Sequence, residues 1–190
     1  MLASERANFR ARDAAELGTS RVALTRLVRQ GELHRVARGV YAKVGRDLTQ
    51  FDSLLEVAAQ SQQGVLCLIT ALRFHNLTTQ SPFEIWLALP NKARAPKIEY
   101  PPVRIVWYSG LALTEGIETH IIGGQPIKVY NIAKTIADCF KYRNKIGLDV
   151  ALEALHDAWK QKRVTMRDLY HFGKICRVQN VMRPYLESLL

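Results

Sequence analysis

The feature that most constrains this chain is the order of its first 43 residues: two short helical stretches, each closed by glycine, then a basic hairpin. Asn8 to Leu17 reads as a short helix, with Ala14, Ala15 and Leu17 as its small and apolar face and Gly18 as its stop. Thr19 or Ser20 then offers an N-cap oxygen to a second helix, Arg21 to Gln30, closed by Gly31. Leu24, Leu27 and Val28 fall at i, i+3 and i+4, one buried stripe. Arg21, Thr25 and Arg29 recur every four residues as an outward stripe of hydrogen-bond donors. Two β-prone runs follow, around Arg38-Gly39, where glycine tolerates the positive φ of a tight turn.

An arginine every fourth residue is by itself only a solvated helix face. The full order is more specific. A helix fits the major groove of DNA, and arginine can donate two hydrogen bonds to guanine O6 and N7. A three-residue turn through Gly18, Thr19 and Ser20 suits a helix-turn-helix, and a basic hairpin directly after the second helix suits a wing. The candidate DNA contacts are therefore Ser20, Arg21, Thr25, Arg26 and Arg29 on the helix, as base readers and phosphate clamps. Arg35, Arg38 and Lys43 on the hairpin would touch phosphates or the minor groove.

Charge agrees with this. The chain carries a formal net charge of +10, which favours polyanionic partners. The surplus is +5 over residues 1–49, zero over 50–140 and +5 over 141–190. Its apolar runs, such as Gly64 to Ile69, are too short to span a bilayer, and Met1 to Arg6 lacks an apolar signal core. Cys67, Cys139 and Cys176 have neither zinc-ligand nor redox spacing, so a reducing cytoplasm is expected.

Past a connector at residues 47–50, an amphipathic helix is expected over 50–63 and a more buried one over 65–77. Strands are expected at 84–89 and 103–108, with a hairpin of 117–122 and 127–130 around Gly123-Gly124. Helices over 131–143, 148–161, 165–173 and 180–189 close the chain. The expected fold is α+β. A winged helix-turn-helix occupies 1–47, and a mixed domain with a small, mostly antiparallel sheet and several C-terminal helices occupies 48–190.

The stretches Arg12 to Gly18, Ser20 to Gly31 and Leu33 to Tyr41 resemble the N-terminal winged domain of AbiEi antitoxins, and the hairpin Leu33-His34-Arg35-Val36-Ala37-Arg38-Gly39-Val40-Tyr41 is the most specific part. That family normally has a full helix before Asn8, where seven residues stand in this chain. Thr70 to Thr78 is similar to a family segment that commonly has glycine where Asn76 stands. Val129 to Phe140 is similar to another that commonly has arginine where Lys134 stands. The resemblance implies a protein that represses its own operon and antagonises a co-encoded nucleotidyltransferase-like toxin; direct contact with the toxin stays open.

His75 and Asp138 are the polar residues a catalytic pair would use. His75 lies on an apolar helix and reads as a satisfied core histidine, and Asp138 reads as part of a buried network with Arg73 or Lys134. No phosphate loop, nucleophile elbow or metal-ligand cluster is present, and Gly123-Gly124 lacks the Lys-Ser/Thr of Walker chemistry. A fused metal-dependent nuclease would need an acid followed by a Glu-x-Lys strand, which neither Glu84 nor Glu118 begins. No enzyme, metal or cofactor is expected. The basic clusters Lys141, Arg143, Lys145 and Lys160, Lys162, Arg163, Arg167 read as solvated surface, extra DNA contact or a dock for an acidic toxin face. One winged domain offers limited affinity, so dimeric or cooperative binding to operator DNA is expected. The alternative is a stand-alone regulator whose second domain senses a ligand or dimerises.

Overall fold

The computed structural model describes residues 8–45 and 49–189. The segment before Asn8, where the resembled family normally has a helix, and the start of the connector, Asp47 and Leu48, lie outside the described residues. The fold is α+β, with two small sheets. The chain divides into two compact units. The first takes in the described residues of Met1–Gly64, Pro96–Pro102 and Thr119–Ile127. The second takes in those of Val65–Ala95, Val103–Glu118 and Lys128–Leu190.

The first unit opens with strand β1 (Asn8–Arg10), helix α1 (Ala11–Glu16) and helix α2 (Arg21–Arg29), followed by β2 (Leu33–Ala37) and β3 (Val40–Lys43). The three strands form one antiparallel sheet in the order β1-β3-β2. Asn8–Arg10 was expected to begin a helix. Instead it pairs with Val40–Ala42, which buries Phe9 and sets it across from Tyr41, the rings stacked at 6.1 Å. Only from Ala11 can the chain turn helical, and Asp13 accepts the backbone N–H of Arg10 at 3.2 Å to start it. Phe9, Ala14, Leu24 and Leu33 form the small core, with Leu27, Val28 and Tyr41 against it. Helix α3 (Asp52–Gln60) also belongs to this unit and buries Leu55, Val57 and Ala59.

The second sheet runs in the order β6-β5-β4-β8-β7, with β4 (Val65–Leu66), β5 (Ile85–Pro90), β6 (Val103–Tyr108), β7 (Ile117–Ile122) and β8 (Gln125–Tyr130). The expected mostly antiparallel sheet is corrected here: β5 pairs with β6 in parallel, and so does β4 with β8, while β4 and β5 are antiparallel. Residues 91–102 supply the physical reason. A parallel neighbour needs a crossover of about a dozen residues, and this loop-like stretch is long enough to carry the chain back to the start of β6. β4 is a second departure: Val65 and Leu66, expected to open a helix, serve as a short strand, and helix α4 (Leu68–Phe74) begins only afterwards.

The second unit is organised around α6 (Ile132–Lys141), whose residues Ala133 to Phe140 are all buried. The Asn131 side chain caps it, accepting from the Lys134 N–H at 2.9 Å. The short helices α5 (Leu111–Thr114) and α7 (Arg143–Ile146), and the longer α8 (Leu148–Lys160), α9 (Met166–Ile175) and α10 (Gln179–Glu187), complete the unit. Ile136, Phe140, Leu155, Leu169 and Met182 share its core. Each such side chain contributes about 1.5–3 kcal/mol by leaving water, so this cluster is the main apolar reservoir of the second unit. Among the described residues no helix is long and apolar enough to cross a membrane.

Candidate nucleic-acid interface

Helix α2 is set by local chemistry at both ends. Ser20, in extended conformation, accepts the Ala23 N–H on its hydroxyl at 3.1 Å, a contact worth about 1 kcal/mol. Gly31, at φ +74°, ends the helix, and the Glu32 N–H returns to the Leu27 carbonyl at 3.0 Å. Leu24 is fully inside, and Leu27 and Val28 are half-buried. The inward face is therefore the expected stripe.

The outward face carries more than the expected stripe. Arg21, Thr25, Arg26 and Arg29 are all exposed. Successive residues rotate about 100° around a helix, which places Val22, Arg26 and Arg29 opposite the buried stripe and Arg21 and Thr25 at its flank. Val22 is 80% exposed, so an isopropyl knob stands among the guanidinium groups. Thr25 is not a free donor: its hydroxyl donates to the Arg21 carbonyl at 3.0 Å, which leaves oxygen lone pairs and a methyl group outward.

The hairpin turns through Arg38 and Gly39, with Gly39 at φ +77° and Ala37 paired to Val40. Arg35 and Arg38 are exposed, and the Arg35 Nε donates to the Ala37 carbonyl at 3.3 Å. Lys43 is exposed but pairs with Leu33, at the end of the hairpin away from Arg38. At about 3.4 Å per residue, the two cations do not share the turn. The Ala11 N–H donates to the Gly39 carbonyl at 2.8 Å, tying the turn to the start of α1.

Two cations at this turn escape sequence reasoning. Arg10, Arg38 and Lys97 line one depression of about 280 Å³. Arg10 donates from Nε to the Ala59 carbonyl, and burial, then Arg12, lowers its pKa. Lys97 is exposed and lies more than fifty residues further along the chain, where local pattern cannot link it to Arg38.

The residues weighed for catalysis are held in the core of the second unit. The His75 Nε2 lies 2.8 Å from the Tyr130 carbonyl, and the Arg163 guanidinium donates to the His75 carbonyl at 2.6 Å. Lys134 and Asp138 form a wholly buried ion pair at 2.5 Å, and Lys134 also sits over the rings of Tyr130 and Tyr108, at 4.0 and 4.7 Å. The Cys176 thiol donates to the other Asp138 oxygen at 3.2 Å. Burial raises the Asp138 pKa, against the pull of Lys134. Of the two partners expected for Asp138, the ion pair is formed by Lys134, while Arg73 donates to the Ser81 hydroxyl. Asn76 adopts φ +55°, a left-handed conformation that explains why glycine suits that position. Among the described residues no three His, Cys, Asp or Glu side chains gather as a metal site needs.

Residues 1–42 match the family model described as transcriptional regulator, AbiEi antitoxin. The match agrees with the resemblance read from residues 12–41, and it ends before the two segments at 70–78 and 129–140. No curated protein matches the chain.

Proposed function

We propose that this chain is a transcriptional regulator of the antitoxin type, which grips duplex DNA with a winged helix-turn-helix lying within residues 1–47. One observation carries the reading: inside the matched segment, a capped helix presents Arg21, Arg26 and Arg29 to solvent directly before a hairpin whose turn presents Arg38. Helix α2 enters the major groove. Arg26 and Arg29 read guanine edges, Arg21 and Ser20 hold phosphates, and Val22 with the Thr25 methyl offers the apolar contact that a thymine methyl accepts. Arg35 and Arg38 serve the wing, with Arg10 and Lys97 behind it, and Lys43 meets the backbone separately.

The mechanism is occupancy rather than catalysis. The protein, acting in the cytoplasm, covers promoter DNA that RNA polymerase needs, as a dimer or cooperatively on repeated half-sites. The α+β part, over 48–190, serves antagonism of a co-encoded nucleotidyltransferase-like toxin.

A gel shift with the protein's own upstream region, repeated at rising salt, tests the reading. The expected result is a specific shift that weakens steeply with salt and is abolished by Arg21→Ala with Arg29→Ala, while circular dichroism stays unchanged. An equal shift of a scrambled duplex would overturn it.

A further inference from the structure

The basic surplus near the C-terminus has a focus that the DNA reading does not use. A cavity of about 770 Å³ opens in the second unit between the β6–α5 turn, the end of α6 and the outer side of α9. Lys141, His171, Lys174 and Arg177 line it, with Glu115 the only carboxylate among the described residues of its walls. Lys141, Lys174 and Arg177 are exposed, and among the described residues none of the three ion-pairs with a carboxylate. Cations that repel one another around a concave wall are stabilised by an anion they can share.

The same walls are apolar elsewhere. Trp107 is 44% exposed and Leu111 61% exposed, and Lys141 lies 5.8 Å over the ring of Tyr108. A large indole left half in water beside free cations offers a flat stacking surface. Stacking on such a side chain is tolerant of which base is present. The volume falls in the usual range for small-ligand sites, roughly 300–1,000 Å³.

We propose that this cavity binds a phosphorylated nucleoside, with the phosphate held by Lys174, Arg177 and Lys141 and the base stacked on Trp107. The site belongs to the second unit alone and does not rest on the DNA reading.

The test uses the full chain and the four ribonucleoside diphosphates, with inorganic phosphate and adenosine as partial ligands, read by isothermal titration and by quenching of tryptophan fluorescence. At least one diphosphate should bind, while phosphate alone and adenosine alone bind about tenfold or more weakly, as expected when both halves contribute. Lys174→Ala with Arg177→Ala should weaken the diphosphate about tenfold or more, the loss of charge-assisted contacts, and Trp107→Phe should remove most of the quenching. Both side chains of the double variant are exposed, so its circular dichroism and melting should match the parent. Failure of all four diphosphates at millimolar concentration would overturn the proposal. So would binding that the double variant leaves intact. A free strand could carry the same chemistry, so a short single-stranded oligonucleotide forms a further arm: the free nucleotide should compete it off, and an oligonucleotide that binds where no mononucleotide does overturns the proposal. The double variant should still shift operator DNA, which keeps this outcome separate from that of the DNA reading.

Discussion

Helices α2 and α6 each place cations and polar groups four residues apart, and they put that spacing to opposite ends. On α2 the apolar residues Leu24, Leu27 and Val28 occupy a single stripe, so Arg21, Thr25 and Arg29 are left in water. On α6 the polar residues Lys134, Thr135 and Asp138 also share one side of the helix, but neighbouring elements cover that side, and Lys134 is carried inside with 0% of its side chain exposed. A cation in water is available to a partner. A cation in the core must be neutralised on the spot, and Asp138 and two tyrosine rings do so. The lesson is that i, i+4 spacing carries no meaning until it is known what packs over the polar side.

The contrast can be broken experimentally, most forcefully at Asp138. Asp138→Ala strands Lys134 in the core and should cost about 3–5 kcal/mol, measured by urea denaturation. Replacing both partners, Lys134→Met with Asp138→Leu, should restore most of that stability. A loss below about 1 kcal/mol in the single variant would mean that the pair behaves like a surface pair, and the comparison fails.

Alkaline titration probes the same core. Burial and the Asp138 carboxylate raise the Cys176 thiol from its ordinary 9.0 to about 12 and the Tyr142 phenol from 10.0 to about 12. Between those values the folded protein holds protons that the unfolded chain has released. Stability is therefore complete below pH about 9 and falls as pH rises toward about 12. The expected loss is about 4 kcal/mol from Cys176 and a smaller share from the half-buried Tyr142, followed by thermal melting across that range, and Cys176→Ala should flatten the earlier part of the decline.

On the solvent side the effects shrink. Ser20→Ala should cost about 1 kcal/mol, visible as a lower melting temperature, and should weaken operator binding through fraying of α2. Lys97→Ala is the mildest change: it should leave stability untouched and lower the salt slope of operator binding by about one. If the slope does not move, Lys97 is a bystander and the turn reaches DNA without it.

Much of the architecture is legible in sequence where one period dominates. Helix α2, the Arg38-Gly39 turn and the strands at Ile85 and Val103 follow from stripes and breakers. The misread elements all depend on distant partners. Asn8–Arg10 and Val65–Leu66 are strands only because Val40–Ala42 and Leu87–Ala88 lie beside them. The parallel pairing of β5 with β6 is a property of the crossover, not of either strand's residues. The candidate site divides the same way. Exposure of Arg21, Arg26 and Arg29 follows from the apolar stripe. The prominence of Val22, the spent hydroxyl of Thr25 and the approach of Lys97 to Arg38 need coordinates.

The bond from the Ala11 N–H to the Gly39 carbonyl has a mechanical corollary. It clamps the basic bend to the base of the first helix, so the two respond to load as a single lever instead of a free loop and its anchor. For a protein gripping a duplex this way, the compliance needed for a close fit must come from the nucleic acid. Operators with easily deformed steps beneath Arg38 should then be favoured even where no side chain touches a base.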